Sequence, residues 1–243
     1  MSLVKNNFMS VVKKQYFYKI QGFSKFFLII IATQIIGMLF ALTNAGGTIG
    51  SSNEIYSFNI DKNSTLQVFI FTIACVTFAS ANFNLKEYKD MDFTFVSNRI
   101  SSNVSNIGFL ITLSIFGAVT SALSGVLVRT IKYLLISSSK IIESGFFIIP
   151  GEIMCSIGAN FLYILLFSSV TYFCSVLIQK SNIFFVIILA VVVLLTQIPV
   201  FGNIIEFYTK EHSFIIFMIK TIITAVIFFT ISVLVSNDLE VRR

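Results

Sequence analysis

Long apolar runs are the feature that most constrains this chain. Six stretches are dominated by Phe, Ile, Leu and Val, and each approaches the about 20 residues that a membrane-spanning helix needs. The runs are continuous, as in residues 26–31, and so lack the alternation that the strands of a membrane barrel show. The sequence therefore predicts an all-α membrane protein with six transmembrane helices. The predicted spans cover residues 26–45, 65–83, 104–128, 153–178, 183–201 and 213–235.

The composition agrees with a membrane protein. Of the 243 residues, 56% are hydrophobic and 12% are charged, whereas a soluble domain is closer to half apolar and a quarter charged. Six spans and their connections use nearly the whole chain. We therefore predict a single transmembrane domain over residues 1–243, with no room for a separate soluble catalytic domain.

The N-terminal segment, residues 1–25, combines apolar residues at helical spacing with lysines. The apolar residues are Leu3, Phe8, Val11, Val12 and Tyr16, and the lysines between them are Lys5, Lys13, Lys14 and Lys19. This pattern favours a helix lying in the membrane interface, with its apolar face in lipid and its lysines toward phosphate. A plain basic tail is the alternative.

The basic residues indicate the orientation. If both termini are inside, the inner segments hold 11 Lys and Arg residues and the outer segments hold 5. Because cytoplasmic loops are enriched in basic residues, we predict that both termini face the cytoplasm. The same argument explains the net charge of +6 without a nucleic-acid partner.

Two connections between spans are less regular. Residues 46–64 are rich in Gly, Ser and Asn and predict an exposed loop. Residues 129–152 mix basic residues with a short apolar run. We interpret them as the end of a long third span followed by a segment on the membrane surface.

Small residues on two spans predict close helix packing. The first span carries Gly37, and the third carries Gly117, Ser121 and Gly125 at four-residue spacing. Lipid is as apolar as leucine, so helices associate through such close approaches. These faces could contact other helices of this chain or a second copy of it. Gln34, in the middle of the first span, is expected to hydrogen-bond to a neighbouring helix.

The sequence lacks the residue patterns that are typical of a catalytic site. The spans hold no paired carboxylates, and the single histidine, His212, lies in a loop without companion ligands. Lys220 lies near one end of the sixth span, where its stem can reach the interface. We therefore predict no catalytic, metal or cofactor-binding residues, and no enzymatic activity of this chain.

Two stretches resemble one transporter family. The first is Lys86-Glu87-Tyr88-Lys89-Asp90-Met91-Asp92-Phe93-Thr94-Phe95-Val96-Ser97-Asn98-Arg99, and the second runs from Gly158-Ala159-Asn160 to Leu177-Ile178-Gln179-Lys180-Ser181-Asn182. Together with the six spans and the N-terminal helix, they resemble the ABC-2 family of ATP-binding-cassette transporter permeases. The first looks like that family's cytoplasmic segment before the third span, and the second like its break between the fourth and fifth spans.

The resemblance implies a permease in a bacterial plasma membrane, paired with a second permease subunit. A separate ATPase subunit would bind ATP and Mg²⁺ and power the export of amphipathic or antimicrobial peptides or hydrophobic compounds. The N-terminal helix would be the family's elbow helix, and a coupling helix near Asp90–Ser102 would dock the ATPase. Its docking residues would be Asp90, Asp92, Phe93, Phe95, Val96 and Arg99.

Two other functions remain open at this point. The chain could be the substrate-capturing membrane subunit of a vitamin-type importer, which would bind a small ligand tightly. It could also be an intramembrane enzyme, against which the lack of buried catalytic groups argues. The sequence leaves open the cargo, the direction of transport and the identity of the second permease.

Overall fold

The computed structural model describes residues 8–43, 48–53, 56–61, 64–83, 99–135, 150–181, 183–197, 207 and 213–238. Within these ranges it contains seven helices and one two-stranded hairpin. The elements are α1 (Phe8–Gly22), α2 (Lys25–Leu42), β1 (Thr48–Asn53), β2 (Tyr56–Asp61), α3 (Ser64–Asn82), α4 (Arg99–Leu135), α5 (Pro150–Lys180), α6 (Ile183–Gln197) and α7 (Phe214–Asp238).

A helix overlaps each of the six predicted spans, and four helices are long and apolar enough to cross a membrane. These four candidate spans are Lys25–Leu42, Ile100–Ile131, Ile153–Lys180 and Phe214–Asn237. The apolar part of α3, Leu66–Asn82, is shorter, and α6 has 15 residues. The multi-pass helical membrane architecture is therefore present, with four spans identified by length and composition.

The distribution of side chains is the reverse of that in a soluble protein. Large apolar residues face outward, with Ile183 68% exposed, Val186 64% and Leu234 61%. Serines such as Ser168 and Ser232 are completely buried. Because lipid solvates apolar surface and cannot hydrogen-bond to polar groups, this arrangement is stable in a bilayer.

Local sequence accounts for several helix boundaries. The fifth helix begins at Pro150, where the missing amide proton costs nothing and the fixed φ suits the first helical turn. The fourth helix continues to Leu135, which agrees with a long third span. The surface segment expected after it lies outside the described residues.

The predicted loop at residues 46–64 instead contains the hairpin. Its strands are antiparallel, and the register pairs Asn53 with Tyr56 and Thr48 with Asp61. In the second strand, Tyr, Phe and Ile alternate with Ser, Asn and Asp. This period of two is the pattern of a β-strand, and the glycines and serines around it had favoured a loop.

The chain divides into two compact units. The first comprises Met1–Phe23, Thr77–Ile111 and Leu165–Arg243, and the second comprises Ser24–Val76 and Thr112–Ile164. Each unit has its own polar cluster among the helices. The first unit also has an aromatic cluster of Phe23, Phe83 and Phe109, whose ring centroids lie 5.2–6.1 Å apart.

Candidate functional site

The face of α1 that packs against the rest of its unit contains polar side chains. Lys19 is only 1% exposed and Gln15 only 2% exposed, beside the buried Val12. These residues are spaced by three and four positions, so they lie on one face of the helix. On other faces Met9 is 69% exposed and Phe17 is 52% exposed. The expectation that all the lysines of this segment face phosphate is therefore wrong for Lys19.

Polar side chains at the start of α4 explain why Lys19 is buried. Its Nζ donates hydrogen bonds to Ser105 Oγ at 2.8 Å, Ser102 O at 3.2 Å and Ser102 Oγ at 3.3 Å. It also donates to Asn106 Oδ1. Ser102, Ser105 and Asn106 follow one another at intervals of three and one, so they line one side of the first turns of α4. They provide enough acceptors for all three ammonium protons.

The network extends from this lysine to a third helix. Asn106 Nδ2 donates to Tyr172 Oη at 3.4 Å, and Tyr172 Oη donates to Asn103 Oδ1 at 2.9 Å. Tyr172, on α5, is completely buried, and its ring lies 6.1 Å from the Phe229 ring of α7. A continuous polar network thus joins α1, α4 and α5 within the first unit, and an aromatic contact adds α7.

Close packing accompanies this network. A Cβ added to Gly108 would lie 3.3 Å from Tyr16 Cδ2, so α1 and α4 approach closely there. Beside it, both polar atoms of the Gln15 amide are buried without a hydrogen-bond partner among the described residues. A buried amide in that state is costly, and it adds to the polarity of this face of α1.

The second unit has its own polar cluster around Gln34. Its Nε2 donates to Thr120 Oγ1 at 2.9 Å and to Thr72 Oγ1 at 3.1 Å, and the Gly117 carbonyl oxygen lies at 3.5 Å. Gln34 therefore joins α2 to α3 and α4, as predicted. In the same unit Asn160 Nδ2 donates to Ser121 Oγ at 3.1 Å, which joins α4 to α5.

The four small residues singled out in the sequence all lie on buried helix faces. A Cβ on Gly37 would lie 3.0 Å from Val68 Cα, and one on Gly117 would lie 3.1 Å from Thr72 Cγ2. Ser121 accepts the bond from Asn160, and Gly125 is buried further along α4. The contacts described for Gly37, Gly117 and Ser121 are thus with helices of the same chain.

The residues expected to dock a partner are not described as a group. Asp90, Asp92, Phe93, Phe95 and Val96 lie outside the described residues. Arg99 is the first residue of α4, and its side chain is also outside the described part. Lys220 Nζ lies 3.9 Å from the centroid of the Phe207 ring, and the snorkelling of its stem toward the interface stays a prediction.

Sequence reasoning missed Lys19, Asn106 and Tyr172 as members of one site. The available signal was the polar run Ser101-Ser102-Asn103 followed by Ser105-Asn106 at the predicted start of the third span. Five polar residues in that position require polar partners: Lys19 bonds to Ser102, Ser105 and Asn106, and Tyr172 bonds to Asn103. Chemically, the arrangement holds a positive charge at a fixed point between helices. Among the described residues no group of three or more His, Cys, Asp and Glu side chains could hold a metal ion.

Comparison with known proteins leaves the site to be interpreted from its own geometry, because no protein-family model, no curated protein and no solved structure matches the chain.

Proposed function

We propose that the chain is the membrane permease subunit of an ATP-binding-cassette transporter that exports amphipathic or antimicrobial peptides or hydrophobic compounds. In this proposal six helices cross a bacterial plasma membrane, both termini face the cytoplasm, and α1 is the elbow helix. A second permease completes the pathway. A separate subunit binds ATP and Mg²⁺ and supplies the energy.

The observation that carries the proposal is the attachment of Lys19 to the start of α4. That helix begins at Arg99, itself a predicted docking residue, directly after the charged segment 84–98 that contains the other five. Lys19 holds α1 to Ser102, Ser105 and Asn106, which lie within the first eight residues of α4. Movement of a docked partner would therefore reach both α1 and the span that α4 forms.

The docking segment has the composition of a protein interface. Phe93, Phe95 and Val96 provide apolar anchors, and Asp90, Asp92 and Arg99 provide a charged rim. Interfaces are commonly built from buried aromatic anchors surrounded by polar residues. The exposed Phe- and Ile-rich helix faces suit both lipid and apolar cargo.

Copurification tests the proposal. The chain is coexpressed with a candidate ATP-binding-cassette ATPase, sought first in the neighbouring reading frame, and recovery of that ATPase is measured after purification through the permease. We expect the combined change Phe93→Asp and Phe95→Asp to lower recovery at least tenfold, because two buried anchors are lost. Phe207→Asp is the matched control, since Phe207 is 51% exposed and lies in a connection predicted on the opposite side.

Three outcomes would contradict the proposal. The first is full recovery of the ATPase with the doubly substituted chain. The second is cargo transport against a gradient by the purified chain alone. The third is a small molecule that remains bound to the isolated chain through purification, which would favour the importer subunit instead.

A further inference from the structure

We propose that the outward face of α1 is a binding site for the headgroup of an anionic phospholipid, with Lys13 and Lys14 as the residues that recognise its phosphate. This inference does not depend on the proposed transport function. It concerns one helix of the first unit and follows from the side chains that this helix exposes.

An open cleft of about 420 Å³ lies on this face of α1. The side chains that line it are Ser10, Lys13, Lys14, Phe17, Tyr18 and Gln21. All six residues are exposed and lie along one face of α1 at helical spacing. We call this cleft the α1 cleft.

The charge of the α1 cleft favours an anion. Lys13 and Lys14 are adjacent in sequence, and α1 contains no Asp or Glu. The third lysine of the helix, Lys19, is buried on the other side and bonded to α4. Lys19 is therefore a structural lysine, whereas Lys13 and Lys14 are exposed in the part of the chain that the structure describes.

The other side chains of the α1 cleft can contact both the polar and the apolar parts of a lipid near its headgroup. The hydroxyl of Ser10 and the amide of Gln21 can hydrogen-bond to phosphate and glycerol oxygens. The Phe17 ring, 52% exposed, provides an apolar surface at the same face. Aromatic and basic side chains occur together at membrane interfaces for this reason.

Chain connectivity keeps the α1 cleft near a membrane surface. Helix α1 ends at Gly22, and the first candidate span begins at Lys25. Three residues reach at most about 11 Å, so the end of α1 stays close to the end of a membrane-spanning helix. A zwitterionic lipid adds no net charge there, whereas an anionic lipid is attracted to both ammonium groups.

The absence of tryptophan from the natural chain allows a local test. Phe17→Trp places a single fluorophore in the α1 cleft of the full-length protein, which is then reconstituted into phosphatidylcholine nanodiscs. Brominated phosphatidylglycerol is exchanged for part of the lipid, and tryptophan quenching is measured against its mole fraction. Brominated phosphatidylcholine serves as the headgroup control. Tyr18→Trp replaces the first reporter if that variant does not fold.

We expect stronger quenching by phosphatidylglycerol than by phosphatidylcholine at equal mole fraction. Neutralising the two lysines by Lys13→Gln and Lys14→Gln should weaken the preference about 5-fold for each lysine and about 30-fold for both. The matched control is Arg129→Gln with Lys180→Gln, which removes two exposed charges elsewhere and should leave the preference intact.

Two results would overturn the inference. One is equal quenching by the two brominated lipids, which would mean that the α1 cleft only lies in the bilayer. The other is a loss of preference in the Arg129 and Lys180 control as large as that in the Lys13 and Lys14 variant, which would mean that overall charge, and not this site, attracts the lipid.

Discussion

Replacing Lys19 by methionine tests whether its buried hydrogen bonds hold α1 in place. Lys19→Met keeps the length and most of the volume of the side chain but removes the ammonium group. Ser105 Oγ and Asn106 Oδ1 then lose the donor that they share. A hydrogen bond from a charged donor contributes about 1.5–3 kcal/mol. The desolvation of the buried charge offsets part of that gain.

These opposing effects give an expected loss of about 3 kcal/mol in the free energy of unfolding. Lys180→Met is the matched control, because Lys180 is exposed and lies outside the α1 cleft. A surface change of that kind should stay within about 0.5 kcal/mol. The measurement is the loss of helicity with increasing SDS mole fraction in mixed micelles.

A double-mutant cycle separates the lost bond from a general loss of packing. Asn106→Leu removes one of the acceptors of Lys19 and also the bond to Tyr172, and the double variant with Lys19→Met removes both ends of the Lys19–Asn106 bond. We expect the double variant to be more stable than the sum of the single changes predicts, by about 1–2 kcal/mol. The reasoning is refuted if Lys19→Met unfolds like Lys180→Met, or if the two changes are additive.

Three further changes can be measured in the same unfolding assay. Gly37→Ala should cost about 1–3 kcal/mol, because the new Cβ lies 3.0 Å from Val68 Cα. Gly151→Ala is the control, because a Cβ on Gly151 would have no neighbouring atom within 4 Å. An equal loss of stability in the two glycine variants would contradict this explanation. Gln34→Leu should cost about 1 kcal/mol, since hydrogen bonds between membrane helices are modest; no loss would mean that the amide is not needed. Tyr172→Phe keeps the ring and should also cost about 1 kcal/mol. An unchanged unfolding midpoint would mean that the hydroxyl group of Tyr172 does not contribute to stability.

The helix positions could be predicted from the sequence because the bilayer imposes a length on each apolar run. All six predicted spans overlap a helix, and four have the length and composition of a span. The hairpin was not predicted, because only its second strand alternates clearly and glycines and serines surround it. Local composition there favoured a loop over a short strand pair.

The face of α1 could not be predicted from its own periodicity. Periodicity assigns polar residues to the outside, and on that basis Lys19 would face phosphate. Its acceptors lie 83–87 residues further along the chain, so no local pattern reveals them. A buried lysine requires knowledge of both helices, and the signal on α4 was a polar run without an assigned partner.

The contact of Gln34, in contrast, could be predicted from its position in the sequence. It lies in the middle of an apolar run, where lipid offers no hydrogen bond, so a polar partner on a neighbouring helix was required. The structure provides Thr72 and Thr120. A polar residue in the centre of a span thus predicts a contact from its own position, whereas one in a helix outside the candidate spans, such as α1, can face either water or protein.

The same comparison indicates which side chains specify how these helices pack. Exposed residues of the candidate spans such as Leu28 and Leu234 suit a solvent as apolar as themselves, so exchanging them for other apolar residues changes little. Lys19 and Gln34 each join three or more partner groups on neighbouring helices, and such bonds depend on geometry. Apolar surface therefore keeps the helices in the membrane, while a few buried polar side chains determine which helix faces meet.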